Sequence, residues 1–334
     1  MIRPRNRRQT RPHPKGGPGQ HRAGTVILTV TLNTAVDLTY HVPTLRPHTT
    51  HRVTETQDRP GGKGVNVARV LAQLGHPTTV TGFAGGPTGA WLREALSGEP
   101  HLKDALVPIG GTTRRTVAVV DAADGNTTQF NEPGPTVTAA EWESLKKAYA
   151  SLLPGAEAVA LCGSLPPGVP VGAYAHLIRE ARSAGVPVLL DTSGEPLRRG
   201  IAARPDLVKP NAAELADLTG TRDPRHAARA ARRRGARAVV ASLGADGLLA
   251  ETPVGAWRAA PPAPVRGNPT GAGDSVVAGL LAGLAEGADW PDRLVHATAL
   301  SAATVHASAA GEYDEAAYRD LAARITATAL PGAA

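Results

Sequence analysis

Cysteine occurs once in the 334 residues, at Cys162. An internal disulfide framework is therefore excluded, and a reducing, cytoplasmic setting is expected. No apolar run is long enough to cross a bilayer, and no apolar stretch follows the arginines near the start. Neither a membrane span nor a secretory signal is expected. Acidic residues are missing from positions 1–24, which carry Arg3, Arg5, Arg7, Arg8, Arg11, Lys15 and Arg22. Those seven account for the whole net charge of +7, because the remaining 29 basic residues face 29 acidic ones. The basic character thus belongs to the tail, and no nucleic-acid partner is expected of the rest. Rich in Arg, Pro and Gly, residues 1–24 cannot bury themselves and are expected to be a disordered basic tail. Val26 could be the native start, which an intact mass lacking residues 1–24 would establish. Also missing are a G-x-G-x-x-G after the first strand, a P-loop and an internal repeat. Lysine is scarce, six against thirty arginines, so each lysine beside a turn draws notice.

From residue 25 onward, short β-branched runs alternate with helical periodicity. TVILTVTL at 25–32, TVTGF at 79–83, AVALCG at 158–163, VPVLLD at 186–191, DLVKP at 206–210 and AVVAS at 238–242 read as buried strands. Val67, Val70, Leu71 and Leu74 share a helical face in 63–75, and Val277, Leu280, Leu281 and Leu284 do so in 275–287. Thr138 and Glu141 form a capping box before another amphipathic helix. Further helices are expected at about 171–184, 211–218 and 224–234. This alternation implies an α/β fold: a doubly wound, mostly parallel sheet flanked by helices, in one domain over 25–330. Residues 36–58 and 112–130 break the pattern; Thr- and Val-rich, with a turn at Asp124-Gly125-Asn126, they read as β-hairpins forming a small lid.

Chemistry concentrates at turns between strand ends and helix starts, the edge where open α/β sheets bind ligands. NPTGAGDS at 268–275 opens a helix; its glycines can aim backbone N–H groups and the helix dipole at an anion. A carboxylate there, Asp274, suits a base that takes a proton from an attacking hydroxyl, although the segment also reads as a plain N-cap. GGKGVN at 61–66 offers Lys63 to a phosphate and Asn66 to sugar hydroxyls; alone it is also a glycine turn with a solvated lysine. In KPNAAEL at 209–215, Asn211 and Glu214 could orient water around Mg²⁺ on a nucleotide, or simply form an N-cap. SLGADG at 242–247 is a phosphate cradle or an ordinary turn.

In order, GGKGVN, GSLPPG, KPNAAEL, SLGADG and GAGD resemble the PfkB group of ribokinase-like sugar kinases, from residue 26 to about 325. LTVTLNTAVD at 28–37, FNEPGP at 130–135 and AGEYD at 310–314 resemble the members acting on fructose 1-phosphate. The resemblance implies ATP-dependent phosphorylation of fructose 1-phosphate at C6, with tagatose 6-phosphate or fructose 6-phosphate as alternative acceptors. A non-catalytic sugar-phosphate sensor is the alternative of another class. It implies Asp274 as base, with the amides of Gly271, Ala272 and Gly273 as the anion hole. Asp37, Gly61, Gly62, Lys63 and Asn66 would hold the sugar, and Arg114 and Ser164 would lie near its phosphate. Lys209, Asn211, Glu214, Ser242, Gly244 and Gly247 would serve ATP and Mg²⁺, the metal reached by Asn211 and Glu214 through water. The lid often forms a homodimer clasp in the family. Thr34 stands where the family usually has Pro, Thr116 where it usually has Asn, and Arg115 shares the claim of Arg114 to the phosphate. Cys162 is expected in the core, His48 and His51 lack a third ligand for zinc, and Arg232–Arg234 complement a helix dipole.

Overall fold

The computed structural model describes residues 25–307 and 309–331, so the expected tail lies outside the described residues. In chain order the elements are β1 (Val26–Thr31), β2 (Ala35–Val42), β3 (Glu55–Gly61), α1 (Lys63–Gln73), β4 (Thr78–Gly85), α2 (Gly86–Ser97), β5 (Leu102–Asp104), β6 (Val107–Ile109), β7 (Arg114–Asp121) and β8 (Thr127–Asn131). There follow α3 (Ala139–Leu152), β9 (Ala156–Cys162), α4 (Ala173–Ser183), β10 (Val188–Asp191), α5 (Gly194–Ala202), β11 (Leu207–Val208), α6 (Ala212–Thr219), α7 (Pro224–Arg233) and β12 (Ala238–Ser242). The last are β13 (Leu248–Thr252), β14 (Gly255–Ala259), α8 (Ala272–Ala285), α9 (Trp290–Thr304), α10 (Glu315–Arg324) and β15 (Thr328–Ala329).

The large sheet runs β15-β14-β13-β12-β11-β10-β9-β1-β4-β5, with β6 also on β4. It is parallel from β12 to β5, and β13, β14 and β15 extend it as an antiparallel edge. Side chains alternate across the strands and feed two large cores, with a smaller one between α1, α2 and β4. Leu28, Val159, Leu161 and Leu190 pack beneath α3–α7, whereas Ile27, Ala158, Ala160 and Leu189 pack beneath α1, α8, α9 and α10. A sheet dry on both faces explains why its strands read as continuous apolar runs. The expected capping box of Thr138 and Glu141 closes the start of α3.

Both expected hairpins are present, β2–β3 and β7–β8, and β2 pairs with β7 in parallel to make one four-stranded sheet. Two expectations need correction. The DLVKP strand shrinks to Leu207–Val208, since Pro210 cannot donate to a ladder. The helix expected from 275 begins at Ala272, which puts Asp274 inside its first turn. Cys162 is fully buried in the core at the end of β9.

Candidate active site

Thr31, Cys162, Asp191, Val208 and Ser242 end five neighbouring parallel strands. Ser164, residues 209–215 and residues 242–247 follow the ends of β9, β11 and β12, and Lys63 and Gly273 approach Asp191 and Lys209 beside them. The lid strand β2 supplies Asp37, opposite Thr116 on β7 and Arg59 on β3. Thr116 donates its hydroxyl to the Asp37 carboxylate. Burial raises the pKa of Asp37, against the Thr116 hydrogen bond and the charges of Arg114 and Arg69. Gly61 is dictated by this carboxylate: a Cβ there would lie 2.1 Å from Asp37 Cγ. Gly62 caps α1 without a side chain, and Lys63 and Asn66 occupy its first turn.

Asn66 is buried and donates Nδ2 to Asp274 Oδ2 at 2.9 Å. Residues 61–66 and 268–275 therefore meet directly. At the start of α8, Gly271 has φ +84°, and a Cβ would lie 2.9 Å from Ala310. Only glycine turns there without strain. Among the described residues no side chain caps this helix. The Ala272 amide donates to the Pro269 carbonyl at 3.1 Å, so an anion would compete with that carbonyl for it. Asp274 is 7 % exposed and its pKa is raised to about 6. Burial is the main cause, and Asp191 adds to it, while Lys63, Asn66 and Lys209 oppose it.

Asp191 was missed by the sequence reading and joins the two halves of the site. Its Oδ1 lies 3.4 Å from both Lys63 Nζ and Lys209 Nζ, with its own side chain 1 % exposed. Burial disfavours the Lys63 ammonium, but Asp191, Asp274 and Glu214 outweigh that and hold its pKa above the ordinary value. Lys209 is buried, and a Cβ on Gly273 would stand 3.6 Å from its Nζ, so this ammonium abuts the uncapped helix start. The only prior signal for Asp191 was an acid ending an apolar strand at the ligand edge.

Asn33, also missed, donates Nδ2 to Ser164 Oγ at 3.0 Å and to the Pro133 carbonyl at 3.1 Å. Arg114 anchors on the carbonyls of Asn33 and Glu132, at 3.3 and 3.1 Å. Burial lowers its pKa, against the charges of Asp37 and Glu132. Arg115, next along the strand, is exposed, and it engages Glu132 through its backbone amide and carbonyl. Arg114 is thus the one turned toward Asn33 and Asp37. Thr34 donates its hydroxyl to the Phe83 carbonyl, which fixes the turn before β2 without a proline.

On the other side, Asn211 caps α6: its side chain accepts from the Glu214 amide and Glu214 accepts from the Asn211 amide, each at 2.8 Å. Asn211 bridges Ser242, whose amide donates to the Pro210 carbonyl at 3.0 Å. Gly244 and Gly247 bound the turn after β12. Among the described residues no group of three or more His, Cys, Asp or Glu side chains could hold a metal. One carboxylate and one amide suit an ion carried in by nucleotide phosphates and met through water.

Comparison with known proteins gives a consistent result. Residues 28–316 match the pfkB family carbohydrate kinase domain. A 1-phosphofructokinase of Rhodobacter capsulatus is 41% identical over 281 residues, 82% of this chain and 89% of that one. A 1-phosphofructokinase of Xanthomonas campestris pv. campestris is 37% identical over 315 residues, 91% of this chain and 98% of that one. The crystal structure of phosphofructokinase-2 from Escherichia coli in complex with fructose-6-phosphate superposes with a TM-score of 0.83 at 32% identity, covering 90% of this chain and 99% of that one.

Proposed function

The chain belongs to the pfkB family of carbohydrate kinases, and on that premise we propose that it moves the γ-phosphoryl group of ATP to the C6 hydroxyl of fructose 1-phosphate, giving fructose 1,6-bisphosphate and ADP. The observation that carries the reading is the buried, non-capping Asp274, held by Asn66 beside an uncapped helix start. The sugar lies under the lid, with Asp37 and Asn66 on its hydroxyls and Lys63, Arg114 and Ser164 toward its phosphate. Asp274 accepts the C6 proton, and the freed oxygen attacks the γ-phosphorus in line. The amides at 271–273 and the Lys209 ammonium face the developing charge. Positioning and electrostatic stabilisation of this kind supply most of the catalysis in phosphoryl transfer. Mg²⁺ would enter with ATP, met through water by Asn211 and Glu214, and would neutralise phosphate charge. Ser242, Gly244 and Gly247 border the nucleotide.

The identity of the acceptor rests on the two 1-phosphofructokinases at 41% and 37% identity. The test supplies ATP with fructose 1-phosphate, fructose 6-phosphate and tagatose 6-phosphate in parallel and identifies each product by NMR. Fructose 1,6-bisphosphate formed fastest from fructose 1-phosphate is expected. Faster turnover of either 6-phosphate reassigns the acceptor, and no ATP consumption with any sugar phosphate would leave only a sensor. The lid also carries Phe130, 59% exposed on the edge strand β8, which supports a homodimer through the lid. A monomer in sedimentation at micromolar concentration would remove that proposal.

A further inference from the structure

The segment AGEYD at 310–314 has so far no part in the chemistry. It runs along one face of α1, where Asn66, Arg69 and Gln73 recur at helical spacing. Asn66 holds Asp274. One turn on, Arg69 donates Nη1 to the Ala310 carbonyl at 3.2 Å, Nη2 to Glu312 Oε1 at 3.0 Å and Nε to Glu99 at 2.9 Å. A turn further, Gln73 exchanges two hydrogen bonds with the backbone of Tyr313, at 3.0 and 3.2 Å. The same segment presses on the anion hole from behind, since a Cβ on Gly271 would meet Ala310 at 2.9 Å. It also touches the lid. Glu312 Oε1, already bound to Arg69, also takes Arg59 Nη1 at 2.9 Å, and Arg59 stands on β3 across from Asp37.

One carboxylate oxygen therefore receives a guanidinium from the core and another from the lid. The two arms differ in strength. Arg69 is 6 % exposed and every one of its nitrogens has an acceptor, so the core arm is fixed. Arg59 and Glu312 are 32 % and 29 % exposed at an open cleft of about 550 Å³, so the lid arm is wet and breakable.

We propose that Glu312 is a positioning residue that couples the lid to the anion hole: engagement of Arg59 by Glu312 sets the backbone at 310–312, which in turn sets the Gly271 turn. The lid over the sugar and the amides around the transferred phosphoryl group then adopt their working positions together. A salt-bridge network that touches both parts is a physical route for such coupling. This inference adds to the kinase reading, and its first test needs no substrate.

Hydrogen exchange is followed by mass spectrometry on the ligand-free protein and its Arg59→Gln and Glu312→Gln variants. Arg59→Gln should speed exchange about threefold both in residues 55–61 and in residues 268–275, where the amides of Ala272, Asp274 and Ser275 are hydrogen-bonded, with α7 unchanged. Acceleration confined to 55–61 overturns the coupling. In turnover, each variant should lower kcat by about threefold or more and raise the sugar-phosphate KM, and the double variant should be no worse than Glu312→Gln alone. Additive losses also overturn it. Should Glu312→Gln fail to fold, the exchange pattern of Arg59→Gln decides by itself. Coupled exchange in a protein that phosphorylates no sugar would sink the kinase reading and leave the coupling standing.

Discussion

Helices α6 and α8 both follow a turn at the ligand edge of the sheet, and both carry an acid at their third helical position, Glu214 and Asp274. At α6 the acid folds back onto its own helix. Asn211 and Glu214 satisfy each other's backbone amides, and the helix end is closed. At α8 the N-cap is Gly271, which has no side chain to offer, and Asp274 turns instead to Asn66 on another helix. The first acid closes its own helix end. The second is left with a raised pKa in a buried site, at a helix start whose N-cap residue offers no side chain. Spacing alone does not separate the two; the residue at the N-cap does. Where asparagine caps, the acid has a local partner, and where glycine caps, the acid is free for chemistry.

The sharpest way to break this contrast is Asp274→Asn. If Asp274 is the base, turnover should fall at least about 10²-fold, while ATP binding, followed by calorimetry, persists. Stability should move the other way. A carboxyl whose pKa rises from 3.8 to about 6 on folding holds its proton more tightly when folded. Its contribution to stability is present below the unfolded value and is lost as pH rises through about 6. At pH 8 the ionised Asp274 is a net cost that asparagine does not carry. Thermal melts should therefore show the variant at least as stable as the parent at pH 8, with any advantage shrinking below pH 6. A variant that is less stable at pH 8 yet turns over normally would reverse the assignment. The next effect in size is the pH profile of the parent. Its kcat/KM should be flat above about 6 and fall about tenfold per unit below it as Asp274 protonates. A profile level from pH 5 to 8 would mean that another group takes the proton.

The same contrast explains what could be read in the sequence. Glycine turns and helix starts leave local marks, so 61–66, 209–215, 242–247 and 268–275 were legible, and so was their placement on one sheet edge. Asp191 left no such mark. It ends an apolar strand, and its importance comes from Lys63, 128 positions away, and from Lys209. Asn33 is similar, because its partner Ser164 is 131 positions distant. Helix α9 went unread because it has little polar face to set a period: Leu294 and Ala297–Leu300 are all buried, and Gly279 of α8 packs directly on Ala297. The antiparallel edge of β13, β14 and β15 is built from short strands whose pairing only the fold defines.

The smallest expected effect concerns Glu214, and it separates the two uses of an acid most finely. Glutamine at 214 keeps an oxygen for the Asn211 amide and so keeps the capping box, but it removes the charge. Alanine removes both. If Glu214 is also the carboxylate that meets the nucleotide's metal through water, Glu214→Gln should melt with the parent yet need severalfold more Mg²⁺-ATP for half-saturation. Glu214→Ala should show the same nucleotide defect and also lose about 1 kcal/mol of stability from the opened cap. The contrast with Asp274→Asn is then complete: one acid trades stability for chemistry, and the other serves both modestly. Nucleotide saturation by Glu214→Gln that matches the parent would assign Glu214 to the cap alone, and the metal would have to be met by other groups at the ends of β10, β11 and β12.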